Sequence, residues 1–219
     1  MTARRSVFLA ALGAHADSLA PEVRAYVAGP PEGMIGVGTG VFEIAGSPWR
    51  WMLHLARPLV GPGLLVPRRE HDVPFELVER ATIGANGARA LVATRTFRFR
   101  GGEERFDDVL HIGREPGTLV NTVGDLGRIE VLLDVTVTTQ GALRLTTRAS
   151  RVRLLGRVIR LPRLLGIDGV VENGYDPVHE RRTIAAVMRS PLFGTVMEYR
   201  GWFRYEPRAE PDRPSGQKE

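Results

Sequence analysis

The hydrophobic positions of this chain follow two regimes. Up to Gly29 they recur at helical spacing: Val7-Phe-Leu-Ala-Ala-Leu12 and Ser18-Leu-Ala-Pro-Glu-Val-Arg-Ala-Tyr-Val27 each gather apolar side chains on one face, with Pro21 in a first turn and Gly29 as a stop. This predicts an N-terminal helical segment over residues 5–29. Beyond Gly29-Pro-Pro31 the period becomes two. From Ile129 to Thr138 the odd positions are Ile129, Val131, Leu133, Val135 and Val137, and the even ones are mostly polar, which is a strand with one buried face. Similar alternation predicts strands at Val73–Ile83, Ala93–Phe99, Arg105–Ile112, Thr118–Val123, Ala142–Leu154, Val178–Arg189 and Thr195–Tyr205.

The connections carry turn residues, such as Gly84-Ala-Asn-Gly87, Gly101-Gly102, Gly113-Arg-Glu-Pro-Gly117, Gln140-Gly141 and Ser190-Pro-Leu-Phe-Gly194. Short turns join antiparallel neighbours, and no crossover helix is present to build parallel pairs. The expected fold is therefore mainly β, an antiparallel up-and-down meander of about eight to ten strands that curls into a closed or half-open barrel. One helix interrupts it. Ser47 is placed as an N-cap, Pro48 follows, and Trp49-Arg-Trp-Met-Leu-His-Leu-Ala-Arg57 carries a polar stripe of Arg50, His54 and Arg57 on an otherwise apolar surface. It is expected to cover one barrel opening, plugging the core, forming a ligand lid through Trp49, Trp51 and His54, or making a membrane-surface contact.

Length sets the organisation: 219 residues give one barrel domain over residues 1–205, and the proline-rich residues 206–219 lack the aliphatic groups to order themselves. Composition mostly excludes. Without cysteine there is no disulfide framework or thiolate nucleophile, and the only lysine, Lys218, lies in the polar tail, away from any buried Schiff-base role. The N-terminus resembles a short signal peptide, but its pattern continues into the second helix; no stretch reaches the length of a transmembrane helix, and a cytoplasmic location is expected. The net charge of +5 is modest and almost wholly arginine. The arginines at 144, 148, 151, 153, 157, 160 and 163 have no aromatic residue among them for base stacking, so they read as a solvated strand face and not as a nucleic-acid site, although an anionic lipid surface is conceivable.

Candidate chemistry comes from charges that interrupt the apolar phase, since a buried charge is costly unless paired or used. Arg95 shares a face with Phe97 and Phe99, Asp108 with Phe106 and Leu110, Asn121 with Leu119 and Val123, Arg182 with Ile184 and Ala186, and Tyr199 with Met197 and Phe203. Converging inside a barrel, these five would line a cavity whose arginines fix the head of an amphipathic small molecule; the alternative is an internal Arg95–Asp108 ion pair with no ligand. Glu79, Asp108 and Glu172 are candidates for paired acid/base carboxylates. No Gly-x-Ser-x-Gly elbow and no close metal spacing occurs among the five histidines, so no catalytic residue, metal or cofactor is assigned. Gly36-Val-Gly-Thr-Gly40 lacks the remaining residues of a nucleotide loop and reads as a strand with a bare face against which a helix or ring packs closely.

Several segments occur together in a recognisable order: Arg95-x-Phe97, Gly124-x-x-Gly-Arg-Ile-Glu-Val131, Val152-Arg-Leu-Leu-Gly156 with Leu161-Pro162, Ser190-Pro-Leu-Phe-Gly194 and Tyr199-Arg-Gly-Trp-Phe203. In this the chain resembles the bacterial family known as domain of unknown function 4166, over roughly residues 8 to 205. Ala93 departs from the pattern, which has a tryptophan there. The resemblance implies a domain found alone or attached to saccharopine-dehydrogenase-like Rossmann domains, hence a Rossmann-type oxidoreductase as a partner, and it carries no catalytic residues to transfer. The favoured expectation is a binding domain for an apolar or amphipathic molecule. The alternatives are a cyclase, isomerase or hydrolase in the same cavity, and a purely structural interaction domain.

Overall fold

The computed structural model describes residues 6–49, 66, 68–84, 87–154 and 157–210. Two short helices, α1 (Val7–Leu12) and α2 (Pro21–Val27), flank a 3-10 turn at Gly13–Ser18. Ser6 caps α1, accepting from the Leu9 amide at 3.2 Å and donating to the Val27 carbonyl, so one hydroxyl both starts the first helix and ties it to the end of the second. Among the described residues eleven strands follow: β1 (Met34–Gly46), β2 (Arg69–Ile83), β3 (Arg89–Phe99), β4 (Gly102–Ile112), β5 (Thr118–Val123), β6 (Ile129–Val137), β7 (Leu143–Leu154), β8 (Arg157–Arg160), β9 (Asp168–Asp176), β10 (Arg181–Ser190) and β11 (Gly194–Ala209).

Ten of them close a barrel. Each strand pairs antiparallel with its successor, except that β7 passes over β8 to reach β9, and β11 returns to β1. The small β8 forms a hairpin on β7, outside the ring. Closure leaves the ring without a free edge. Among the described residues no helix is long and apolar enough to cross a membrane.

The period-two pattern sets which side chains fill the interior. Phe42 of β1, Phe75 of β2, Phe97 of β3 and Tyr199 and Phe203 of β11 meet there, with Phe42 and Phe75 stacked at 3.8 Å between centroids. They fit because the facing strand is bare: a Cβ on Gly36 would lie 1.7 Å from Tyr205 Oη, and one on Gly38 would lie 3.1 Å from the Phe203 ring. The alternating glycines therefore make room for aromatic rings, as the sequence suggested.

Three differences from the predicted elements have local causes. Strand β10 starts at Arg181 and not at Val178, because the Asp176 carboxylate accepts from the amides of Val178 and His179 and Glu180 turns with φ of 48°. Strand β9 was not predicted; Gly169, Asn173 and Gly174 break its alternation. At the C-terminus, β11 stays paired as far as Ala209, opposite Met34, four residues into the stretch expected to be a tail.

Candidate functional site

The helices seal one end of the barrel. The Ala20 amide donates to the Gly141 carbonyl at 2.9 Å, and Arg182 Nη1 donates to the Glu22 carbonyl at 2.5 Å. From this seal Tyr26 projects inward, edge-on to Phe203 and Tyr205, and donates its hydroxyl to Glu79 Oε1 at 3.1 Å. Beneath it the aromatic cluster fills the side built by β1, β2, β3 and β11. The other side is open: a cavity of about 420 Å³ lies there, with aliphatic walls that include Leu110, Val123, Val131, Leu133, Leu145, Val171 and Ile184.

Arg95, Asp108, Asn121 and Tyr199, picked out by phase alone, all line this cavity. Arg95 donates through Nη1 to Asp108 Oδ1, and the Asn121 amide also donates to that carboxylate. Burial pushes the Asp108 carboxyl above its usual range, and the Arg95 guanidinium and the Asn121 amide pull it back. Burial opposes charge on Arg95 as well, but Asp108 and then Tyr199 outweigh it, so the guanidinium is held above its ordinary value and stays charged. Burial likewise raises the Tyr199 phenol, with Arg95 opposing. The internal ion pair weighed as the alternative to a ligand site is thus present, and it forms part of the cavity wall.

The site also holds residues the phase argument did not assign. Glu79 follows Val73, Phe75 and Leu77 on the inner face of β2 and is 3% exposed. Burial raises its carboxyl, opposed by Arg95 and by the phenols of Tyr205 and Tyr26. Asn173, on the unpredicted β9, also reaches the cavity and is 7% exposed. Among the described residues the buried atoms Arg95 Nε, Asn121 Oδ1 and Asn173 Oδ1 have no hydrogen-bond partner, and the three side chains that carry them line the cavity.

Other expectations fall elsewhere. Arg182 has the inward phase but does not line the cavity; it lies at the sealed end, 5.2 Å over the Tyr26 ring, where it binds the helical cap. Glu172 pairs with Arg144 at 2.8 Å away from the cavity, so only Glu79 and Asp108 of the three suggested carboxylates share it. Arg144, Arg148 and Arg153 are tied to Glu172, Asp134 and Glu130 on neighbouring strands, in keeping with a solvated face. Of the lid residues, Trp49 donates Nε1 to the Thr195 carbonyl at 3.1 Å and packs edge-on against Phe193; Trp51 and His54, with the rest of the expected helix, lie outside the described residues. Among the described residues no group of three His, Asp or Glu side chains is placed to hold a metal.

Residues 19–203 match the family described as Domain of unknown function (DUF4166), and the chain belongs to that family. A relative from Bacillus subtilis (strain 168), Uncharacterized protein YndH, is 24% identical over 176 residues, which is 78% of this chain and 83% of the relative.

Proposed function

We propose that the barrel is a binding chamber for an apolar small molecule that carries one uncharged polar head. The observation behind this reading is the cavity of about 420 Å³, aliphatic along most of its wall, lined by Arg95, Asn121 and Asn173, whose buried Nε, Oδ1 and Oδ1 atoms have no partner among the described residues. Such a volume lies in the range of small-molecule sites, and a few convergent polar atoms in an apolar wall are how such sites orient a ligand. The head is argued to be uncharged because Asp108 already neutralises Arg95. A second anion would compete with Asp108 for the same guanidinium, whereas a hydroxyl, a primary amide or a protonated carboxyl can accept from Nε and donate to an Asn oxygen. A Rossmann-type oxidoreductase that takes the bound molecule as its substrate would be the matching partner.

Glu79 favours a second reading, a proton-transfer enzyme in the same chamber, because a buried carboxyl held by a phenol at 3.1 Å is a candidate acid or base.

The test begins with mass spectrometry of compounds released on denaturing the purified protein. Binding of a long-chain alcohol, amide, carboxylate and amine is then followed by displacement of a fluorescent apolar dye. Tighter binding of the alcohol and amide, reduced about tenfold by Asn173→Leu through loss of one hydrogen bond, supports the proposal. Equal binding of all four heads, or of none, overturns it. Chemical conversion of a bound compound that stops in Glu79→Gln would establish the second reading.

A further inference from the structure

The barrel end opposite the helices has an apolar rim. Leu164 and Leu165, between β8 and β9, and Leu192 and Phe193, in the β10–β11 turn, line the cavity while remaining 44 to 58% exposed, so they stand where the cavity meets solvent. The adjoining hairpin strand β8 adds Val158 and Ile159, 49% and 51% exposed. Scattered exposed apolar residues need no explanation, but a cluster at the mouth of a cavity marks a contact surface.

The charge around this rim is mostly positive. Residues 151–168 contain five arginines and one carboxylate, Asp168, and residues 189–197 contain one arginine and no carboxylate. Arg157, Arg160 and Arg163 are exposed and have no ion-pair partner among the described residues. In register, Arg160 lies directly opposite Arg151 across the β7–β8 hairpin. Like charges at opposed positions destabilise a strand pair unless something outside the pair compensates. Arg148, Arg160 and Arg163 also line a groove of about 220 Å³ beside the rim, with Thr147, Ser150 and the single carboxylate Asp168.

We propose that this end of the barrel docks on an anionic phospholipid bilayer, with the leucines and Phe193 entering the interface and Arg157, Arg160 and Arg163 meeting headgroup phosphates. Apolar side chains flanked by cations, with no anion between them, are complementary to such a surface. Docked this way, the cavity mouth faces the membrane, a source and sink for an apolar ligand. The proposal goes beyond the binding-chamber reading and does not depend on it, since docking needs only the rim.

Co-sedimentation of the full chain with vesicles of neutral phosphatidylcholine, and of the same lipid containing phosphatidylglycerol, tests this. The expected result is partition onto the anionic vesicles only, weakened by salt. The variant Arg157→Gln/Arg160→Gln/Arg163→Gln should lose about a hundredfold in partition, since each surface cation contributes about a fivefold factor. Leu164→Ser/Leu165→Ser, at exposed positions where folding is not at stake, should weaken binding with the charge intact. Circular dichroism checks both folds. Equal sedimentation with neutral vesicles, no sedimentation with either, or a dimer in light scattering that the leucine variant dissociates would each overturn the proposal. Inorganic phosphate at millimolar concentration is the control for a groove that takes only the free anion: full competition with no effect of the leucine variant would also overturn it. Dye displacement from the cavity should be unchanged in the arginine variant, whose three residues do not line the cavity, so failure here is distinguishable from failure of the binding-chamber reading.

Discussion

Arg95 and Asp108 are diagonal neighbours inside the barrel: in register Arg95 stands opposite Phe106 and Asp108 opposite Ala93, and the two side chains close the diagonal with a charged hydrogen bond. Ala93 is fully buried and small, which leaves space on the inner face for the guanidinium to reach across. Arg95 also lies 5.8 Å over the Phe106 ring, so its stem and plane are held by its register partner while its head serves the diagonal one.

This geometry predicts an asymmetry. Arg95→Ala leaves Asp108 3% exposed with its cation gone and should cost about 3 to 5 kcal/mol. Arg95→Met/Asp108→Leu removes both charges and should be less destabilising than the single change. Urea denaturation of the three proteins checks this; a loss under about 1 kcal/mol in Arg95→Ala would mean that the pair is not buried in solution.

Glu79 predicts a pH dependence with a definite sign. Burial raises its folded-state carboxyl, with Arg95 and the neighbouring phenols of Tyr205 and Tyr26 opposing. The folded state thus binds its proton more tightly than the unfolded chain, so Glu79 contributes stability below the unfolded value near pH 4.3, and this is lost as pH rises through the higher folded value. Glu79→Gln cannot ionise and should gain stability relative to the parent as pH rises from about 4 to 8. Melting temperatures of the pair across that range isolate the effect, because the surface carboxylates are common to both. A constant difference would show that Glu79 titrates as in the unfolded chain.

Arg182 yields a prediction contrary to its sequence reading. It bonds the Glu22 carbonyl and covers Tyr26, so Arg182→Met should loosen the helical cap and leave the cavity wall intact. The expected signature is faster proteolysis within residues 6–28, with a stability loss of about 1 kcal/mol for the lost hydrogen bond. A ligand released from the cavity without faster cleavage would return Arg182 to the binding site.

These cases show which parts were legible. The inner faces of β3, β4 and β5 follow from strict alternation, and with them Arg95, Asp108 and Asn121, because a period of two leaves only two choices of face. Phase does not give position along the barrel axis, so Arg182 was placed on the correct face but at the wrong level. Glu79 had the same phase signal as Arg95, yet its partner Tyr26 lies 53 residues away on a helix, and no local pattern encodes that contact. Asn173 was missed because the glycines around it hide the strand. The Arg151–Arg160 opposition depends on a four-residue hairpin strand, too short for periodicity to reveal.

The glycine strand gives the last prediction. A methyl on Gly40 would lie 2.0 Å from the Trp202 carbonyl oxygen and 2.6 Å from the Phe203 Cα. Both are backbone of the paired strand β11, so neither can swing aside, and Gly40→Ala should force the β1–β11 ladder apart at a cost of about 1 to 3 kcal/mol. At Gly36 the obstacle is different: the 1.7 Å approach is to Tyr205 Oη, the far end of a side chain that lies against Glu79. Gly36→Ala should therefore displace the phenol, and Tyr205→Val should remove much of the penalty, giving a favourable coupling of about 1 kcal/mol or more in a double-mutant cycle. Gly40→Ala should show no such rescue by Tyr205→Val. Equal behaviour of the two glycines would mean that both are required by strand pairing alone, and that the Tyr205 ring does not occupy the space above Gly36.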